Sequence, residues 1–541
     1  MYTQVVRTLF LTLLFGCHAV TPVPRPTTAT PNKTADGYFS ALCAAPIALV
    51  DTSQPTHVVG TGTAASCTED AVRAAVSAGG MITFSCGSTP TTIAITTQLD
   101  LGTTSQTTID GGGLVTLDGG GHTRLFAFDH GDYRKNTVTV TLQKLTLANA
   151  ASTGPQLANG NPGYDLVGGG GAIYVRDGVL HVIDCTFTSD RAPLLGPDVG
   201  GGAIYATGSL DVTVVGSHFD TNTASNGGAI GALNTTLTIA NSDFTNNVAA
   251  GHGENYIDSQ GNEAGEGGNG GAVVIDGGSN GTVSVCGATF TGNNSHGLGA
   301  ALFRTVDAEM QPMLIDRSSF TSNATLASPV TSEGDGDTLY LQNVNLSFTN
   351  SVVLGNQAHG GGAGLRIEGT SQIAVSNSTF ANNKGSGLGI ALSLSAGTSG
   401  TLTNITVANN DSGAFIAGIF GGDGKVSLTN SIVASNTASN AVGPNPLSCG
   451  KIDGGPKAEA LLGGTGTLQF PGTGNDFACA PSPKIGDAKL AVAADNHGPT
   501  FTMAPAAGSP ALGLGRDCPP FDQRGKARAP DKCTAGAFEA D

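Results

Sequence analysis

GGAIGALNTTLTIANSDFTNN, residues 227–247, is the stretch on which the fold turns, because most of the chain consists of imperfect copies of it. Each copy has a Gly-Gly-Ala-Ile-like start, an alternating run of β-formers, and an apolar residue followed three positions later by Asn. That last pair recurs as Phe187/Asp190, Phe219/Asn222, Phe244/Asn247, Phe290/Asn293, Phe320/Asn323, Val353/Asn356, Phe380/Asn383, Val407/Asn410 and Val433/Asn436. Successive apolar members lie 32, 25, 46, 30, 33, 27, 27 and 26 residues apart. A repeat near 27 residues with this composition fits one turn of a solenoid of parallel strands stacked coil on coil. Each coil buries its apolar ring only against its neighbours, so like side chains form ladders. Phe and Val stack inside, and Asn sits at a turn, where it tolerates left-handed backbone and can bond the next coil. Two insertions interrupt the pattern, ASTGPQLANGNPGYDLVGG (151–169) and AAGHGENYIDSQGNEAGEGGNG (249–270).

Composition agrees. Among 541 residues there are 81 Gly, no Trp and only 12% charged side chains, which describes tight turns and stacked strands rather than helices. A solenoid lengthens along one axis without a larger spherical core, so this length does not require several domains. The formal charge of −17 argues against a nucleic-acid or anionic-membrane surface, either of which needs a basic face.

The chain divides as follows. Residues 1–16, with Arg7 and the apolar run Leu9 to Phe15, read as a signal peptide, too short to span a bilayer permanently. LLFGC resembles a bacterial lipobox, which would make Cys17 the lipidated first residue of the mature protein; ordinary secretion is the alternative. Residues 17–58 read as a Thr/Pro-rich tether. Residues 59–86 hold a short capping helix and the first strand: Thr68 is its N-cap, acids fill its first turn, and Gly79-Gly80 stop it. Residues 87–437 form the β-helix body and 438–541 a closing region.

Ten Cys in an exported chain suggest disulfides. Cys67 with Cys86, Cys449 with Cys479, and Cys518 with Cys533 are plausible local pairs. Cys185 and Cys286 lie three repeats apart, roughly 14 Å at the usual strand spacing, and are expected to be buried free thiols.

The alternation of GGAI with FxxN over residues 170–436 resembles the repeat of the polymorphic outer-membrane proteins, which are right-handed parallel β-helix adhesins. Those proteins end in a membrane barrel, of which the last hundred or so residues here show no sign. The end resembles instead the choice-of-anchor Q domain proteins, through ADNHGPT (494–500), GSPALGLG (508–515), DQRGKAR (522–528) and CTAGAFE (533–539). The fold these resemblances imply is all-β: a right-handed parallel β-helix with a short N-terminal capping helix and a disulfide-stapled C-terminal cap. The DQRGKAR motif is expected to belong to that cap.

With Gly, Ile, Phe and Asn used in stacking, function belongs where the rungs differ. If Ile173 and Ile204 point inward, Tyr174 and Tyr205 point outward in consecutive coils, and AALFR and DTLYLQ present Phe303 and Tyr340 likewise. These four rings are a candidate platform for glycans or a partner protein. His252, Glu254, Asp258, Glu263 and Glu266 gather oxygen ligands for weak Ca²⁺ binding, at a spacing that matches no defined Ca²⁺ loop; no other cofactor is expected.

Parallel β-helices resemble the pectate-lyase fold, so catalysis on polysaccharide has to be weighed. Lyases need a neutralised uronate carboxylate and a base; hydrolases need two facing carboxylates. The sequence shows no such constellation, and Arg304, Arg317 and Arg366 are expected at solvated outward positions. The resulting reading is a monomeric surface lipoprotein acting in adhesion or envelope interactions, non-enzymatic, and touching the membrane only through its N-terminal lipid. It would sit at the outer membrane or cell surface, or else be secreted. The alternative is a polysaccharide lyase or glycoside hydrolase on the same scaffold.

Overall fold

The computed structural model describes residues 32–541 apart from 153–167, 198, 254, 258–262, 266, 278–280, 308, 330–335, 414–415, 423–424, 441–442, 447, 452–459 and 473–476. One coil shows the plan. Ile204–Thr207 joins a 12-stranded sheet, Asp211–Val215 and His218–Asp220 form two arms of a 25-stranded sheet, and Thr223–Ala224 starts a short third face. A Gly-rich turn then leads into Ile230–Leu233, one coil further on and in parallel register with Ile204–Thr207. The next coils repeat the cycle, so neighbouring strands are parallel and separated in sequence by one repeat.

Ladders hold the coils together. The rings of Phe187, Phe219, Phe244, Phe290 and Phe320 stack face to face at 4.8, 4.8, 4.7 and 4.9 Å, the spacing of the strands themselves. Val353, Phe380, Val407 and Val433 continue that column in register. Three positions on, Asn222, Asn247, Asn293, Asn323, Asn356, Asn383, Asn410 and Asn436 are buried. Each amide carbonyl accepts from the ladder residue before it, and each amide nitrogen donates to the carbonyl of the Phe or Val one coil back, as in Asn247 Nδ2 to Phe219 O at 3.0 Å. The left-handed residue at this turn precedes the ladder Asn: Thr221, Asn246, Ser322, Asn382 and Asn409 all have positive φ. The ladder Asn, which does not itself take left-handed backbone, aims its amide inward, and this satisfies buried main-chain groups that would otherwise each cost about 1–3 kcal/mol.

The helix, Glu69–Ala78, closes the first coil. Thr68 accepts from the Ala71 amide at its N-terminus, Val72, Ala75 and Val76 are buried, and Gly79 ends it at φ 70°.

Residues 32–58, the described part of the expected tether, are laid along the solenoid. Phe39 N donates to Arg524 O, Arg317 holds the carbonyls of Ser40 and Leu42, and Asn241 bonds both backbone groups of Cys43. Further on, Ile47 packs on Ile183, Val215 and Ala240, Val50 pairs with Gln143, Thr52 reaches Asp110, and Thr56 N meets Met81 O. This strap therefore crosses the coils in reverse order, back to the first strand. Within YFSALCAAPIALV only Phe39 and Cys43 are buried, with Ile47 and Val50 half-buried, so hydrogen bonds from the coils do most of the holding.

Four disulfides are present among the described residues: Cys67–Cys86, Cys449–Cys479 and Cys518–Cys533 as paired above, and Cys43–Cys286. Cys286 is thus not a free thiol. In VSVC, Val283 and Val285 point inward, so Cys286 faces out, where the strap passes with a Cα–Cα distance of 6.0 Å. Cys185 is the buried free thiol expected, its ionisation pushed up to about 12 by burial.

The C-terminal region also folds back along the same corner of the coil. Thr500 reaches Asn350 O, Gln523 meets Ser351 and Thr379, and Asn377, Asn404 and Asn430 donate to carbonyls of Phe521, Thr534 and Arg516. Within DQRGKAR, buried Asp522 is held by Arg524 at 2.7 Å, and Arg528 pairs with Glu539 at 2.8 Å. The motif is a docking hub. Strap and C-terminal region meet at Phe39, whose ring packs edge-on against Phe521.

Candidate functional site

On the outer face of the 12-stranded sheet, Tyr174, Tyr205, Gly231, Val274, Phe303, Tyr340 and Arg366 follow one another in register. The four predicted rings therefore share one outward column. They form two stacked pairs, Tyr174 with Tyr205 at 6.4 Å and Phe303 with Tyr340 at 5.1 Å, separated by the small residues Gly231 and Val274. They are not an open platform, since Tyr174, Tyr205 and Phe303 are only 2, 4 and 8% exposed.

Neighbouring segments provide the cover. The Arg124 guanidinium lies 5.3 Å above the Tyr174 ring, tied to the carbonyls of Gly169 and Gly170. The Tyr174 hydroxyl has no partner among the described residues, and burial pushes its ionisation up to about 12. Tyr205 lies against Gly169 and leans over Gly231; a Cβ at these positions would come within 2.5 and 2.6 Å of its ring. The other pair ends at Arg366, 5.5 Å from the Tyr340 ring and paired with Glu368 at 2.7 Å.

Between the pairs lies a narrow cleft of about 60 Å³, room for about two waters and well short of an enclosed small-ligand pocket. Tyr205 and Phe303 stand at its ends, Val274 and Leu233 form its floor, and Asp276 places a carboxylate at one side. The other side is a knitted wall: Asn226 accepts from Asn269 N and donates to Pro197 O, and Asn269 accepts from Leu298 N. Such a narrow slot, lined about equally by polar and apolar groups, can take the edge of a hydroxyl-bearing ligand rather than a whole ring.

The three coil arginines are not solvated. Arg304 points into the coil, in register between Ile275 and Leu341, because its guanidinium completes a corner by donating to Gly281 O at 2.6 Å and Pro312 O at 3.3 Å. Burial without a carboxylate at those bonds pulls its ionisation down to about 9. Arg317 faces out but is roofed by the strap and paired with Asp316 at 2.8 Å, and Arg366 is half-buried beside Tyr340. Glu254, Asp258 and Glu266, and the side chain of Glu263, lie outside the described residues, as does Cys17.

A second depression was not singled out by sequence reasoning. On the third face, an open trough of about 520 Å³ runs past Gln357, His359, Lys384, Ser386, Asp411 and Ser439. Its residues could have been found, because Gln357, Lys384 and Asp411 each directly follow a ladder Asn, which fixes them outward.

Residues 135–310 match the family described as right-handed β-helix region, in agreement with the coil geometry. No curated protein matches the sequence. Among solved structures, the crystal structure of PfbA, a surface adhesin of Streptococcus pneumoniae, is similar at 12% identity, covering 83% of this chain and 98% of that one with a TM-score of 0.28. An overlap that low transfers nothing of that protein's role.

Proposed function

We propose that this chain is a surface-displayed, non-catalytic β-helix protein that binds glycans in adhesion or envelope interactions. The observation that carries the reading is the narrow cleft between the Tyr174/Tyr205 and Phe303/Tyr340 pairs, where one edge of a surface-bound sugar can insert between the Tyr205 and Phe303 rings with a hydroxyl toward Asp276. The four disulfides fit an oxidising, exported setting. Arg304, on which a lyase would have leaned, is sealed in the core and serves a corner instead. An N-terminal lipid on Cys17 would supply the attachment.

The test is binding to an array of neutral oligosaccharides by the parent, Val274→Phe, which fills the cleft, and Asp276→Asn, which removes its charge. Both variants should lose at least about tenfold in affinity for whatever the parent retains, with unchanged melting. Equal binding by all three removes the cleft from consideration. Release of unsaturated or reducing ends from a polysaccharide panel would favour the enzymatic alternative. Intact-mass measurement of the membrane fraction from cells expressing the parent and Cys17→Ser decides the anchor: a parent without lipid ends the lipoprotein reading.

A further inference from the structure

We propose that the trough on the third face is a second binding site, for an extended oligosaccharide bearing carboxylates, lying along the solenoid axis. It differs from the aromatic cleft in position and chemistry. Its floor is built by the residues that follow the Asn ladder, so Gln357, Lys384 and Asp411 stand in one column on consecutive coils. Two residues further on in each coil, His359, Ser386 and Gly413 also line the trough, with the Ser386 hydroxyl donating to His359 O.

The trough spans coils from Ala324 to Ser439, with strands about 4.8 Å apart, so a linear ligand along it advances by roughly one sugar ring per coil. The missing side chain at Gly413 keeps the floor open beside Ser386. A compact globular ligand would use one or two of these positions, whereas a chain uses the whole row.

Charge selects the ligand class. Asp411 already accepts from the Thr437 hydroxyl at 3.0 Å and the Ser439 hydroxyl at 2.8 Å, so its negative charge is partly engaged inside the protein. Exposed Lys384 makes no ion pair or side-chain hydrogen bond with a described residue and stands between Gln357 and Asp411 with its ammonium free to meet an anion. A carboxylate at Lys384 leaves sugar hydroxyls to bond Gln357, Ser386 and His359. In a protein of formal charge −17, a cation on the floor of a wide trough, unpaired among the described residues, is a selective feature rather than part of a general basic field.

The probe is a fluorescently labelled oligogalacturonate, compared with the same oligomer after reduction of its carboxyl groups to alcohols. The parent should bind the uronate at least about tenfold more tightly than the reduced form, and less tightly as salt rises. Lys384→Ala should bring uronate binding down to that of the reduced oligomer, and Lys384→Arg should preserve it. Lys384 is exposed, so neither change threatens folding. Val274→Phe should leave uronate binding unchanged, which separates this site from the aromatic cleft. Equal affinity for the two oligomers, no binding of either, or full binding by Lys384→Ala overturns the proposal.

Discussion

Two sets of asparagines serve the same coils at two different bends, and they do different things. At the inner turn, Asn222 to Asn436 point into the solenoid and bond one another and the main chain of the coil behind. At the outer corner, Asn241, Asn377, Asn404 and Asn430 themselves take left-handed backbone, with φ between 46 and 53°, and turn their amides outward. There they bond not the next coil but the two ends of the chain: the strap at Cys43 and the C-terminal region at Phe521, Thr534 and Arg516. The inner set makes a solenoid out of coils. The outer set sheathes one corner of it, so the same side chain yields an element of the core at one bend and a clip at the other.

Removing an inner amide should therefore have the larger effect. Asn293 accepts from the backbone and amide nitrogens of Asn247 and donates to Phe244 O and to Asn323, four bonds in a fully buried place. Asn293→Ala takes the acceptor from Asn247 N and one bond each from Asn247 Nδ2, Phe244 O and Asn323 Oδ1, and a loss of about 3–5 kcal/mol is expected from the denaturant midpoint. A loss below about 1 kcal/mol would mean that the ladder merely fills space.

The outer corner should fail more gently and from its edge. Cys43→Ser with Cys286→Ser removes the covalent tie of the strap across 243 residues of sequence, for about 3 kcal/mol. Limited proteolysis should then cut within residues 32–58 while the body stays intact. Asn241→Gly keeps the left-handed bend but deletes both bonds to Cys43, and about 1–2 kcal/mol should be lost, again with strap-first cleavage. Should cleavage begin inside the coils in either variant, inner and outer sets are one cooperative unit and the contrast drawn here is wrong.

The inner set was legible in the sequence because its partners are one repeat away: apolar residue, three positions, Asn, and then again. The outer set was not, because Asn241 and Cys43 are 198 residues apart and no periodicity connects them. Parity carried further than pairing did. It placed Tyr174, Tyr205, Phe303 and Tyr340 outward in one column, and applied to VSVC it would have turned Cys286 outward too. What covers an outward residue comes from irregular segments such as Arg124 and Gly169, and these follow no repeat. Arg304 shows the opposite limit: an arginine at an inward position reads as an exception until the corner carbonyls of Gly281 and Pro312 are seen around it.

The smallest expected effect lies where the inner ladder begins, at a residue that departs from it. Asp190 occupies the ladder position with a carboxyl: Oδ1 accepts from Ala150 N at 2.8 Å, and Oδ2 is buried with no partner among the described residues. Burial raises its ionisation well above the ordinary carboxylate range, with the charge of Asp118 acting in the same direction. Burial thus favours the protonated carboxyl in the folded state, whereas the unfolded chain ionises near pH 4. Its contribution to stability is complete below that pH and is lost as pH rises toward the folded value. Asp190→Asn supplies an amide nitrogen that can donate to Asn222 and, by register, to Leu147 O, as the other ladder residues do. The variant should be more stable than the parent by about 1 kcal/mol at neutral pH, with a smaller advantage near pH 4. Melting curves at the two pH values check this; an advantage that grows in acid would mean that Asp190 is ionised in the fold and that the ladder begins with a charge.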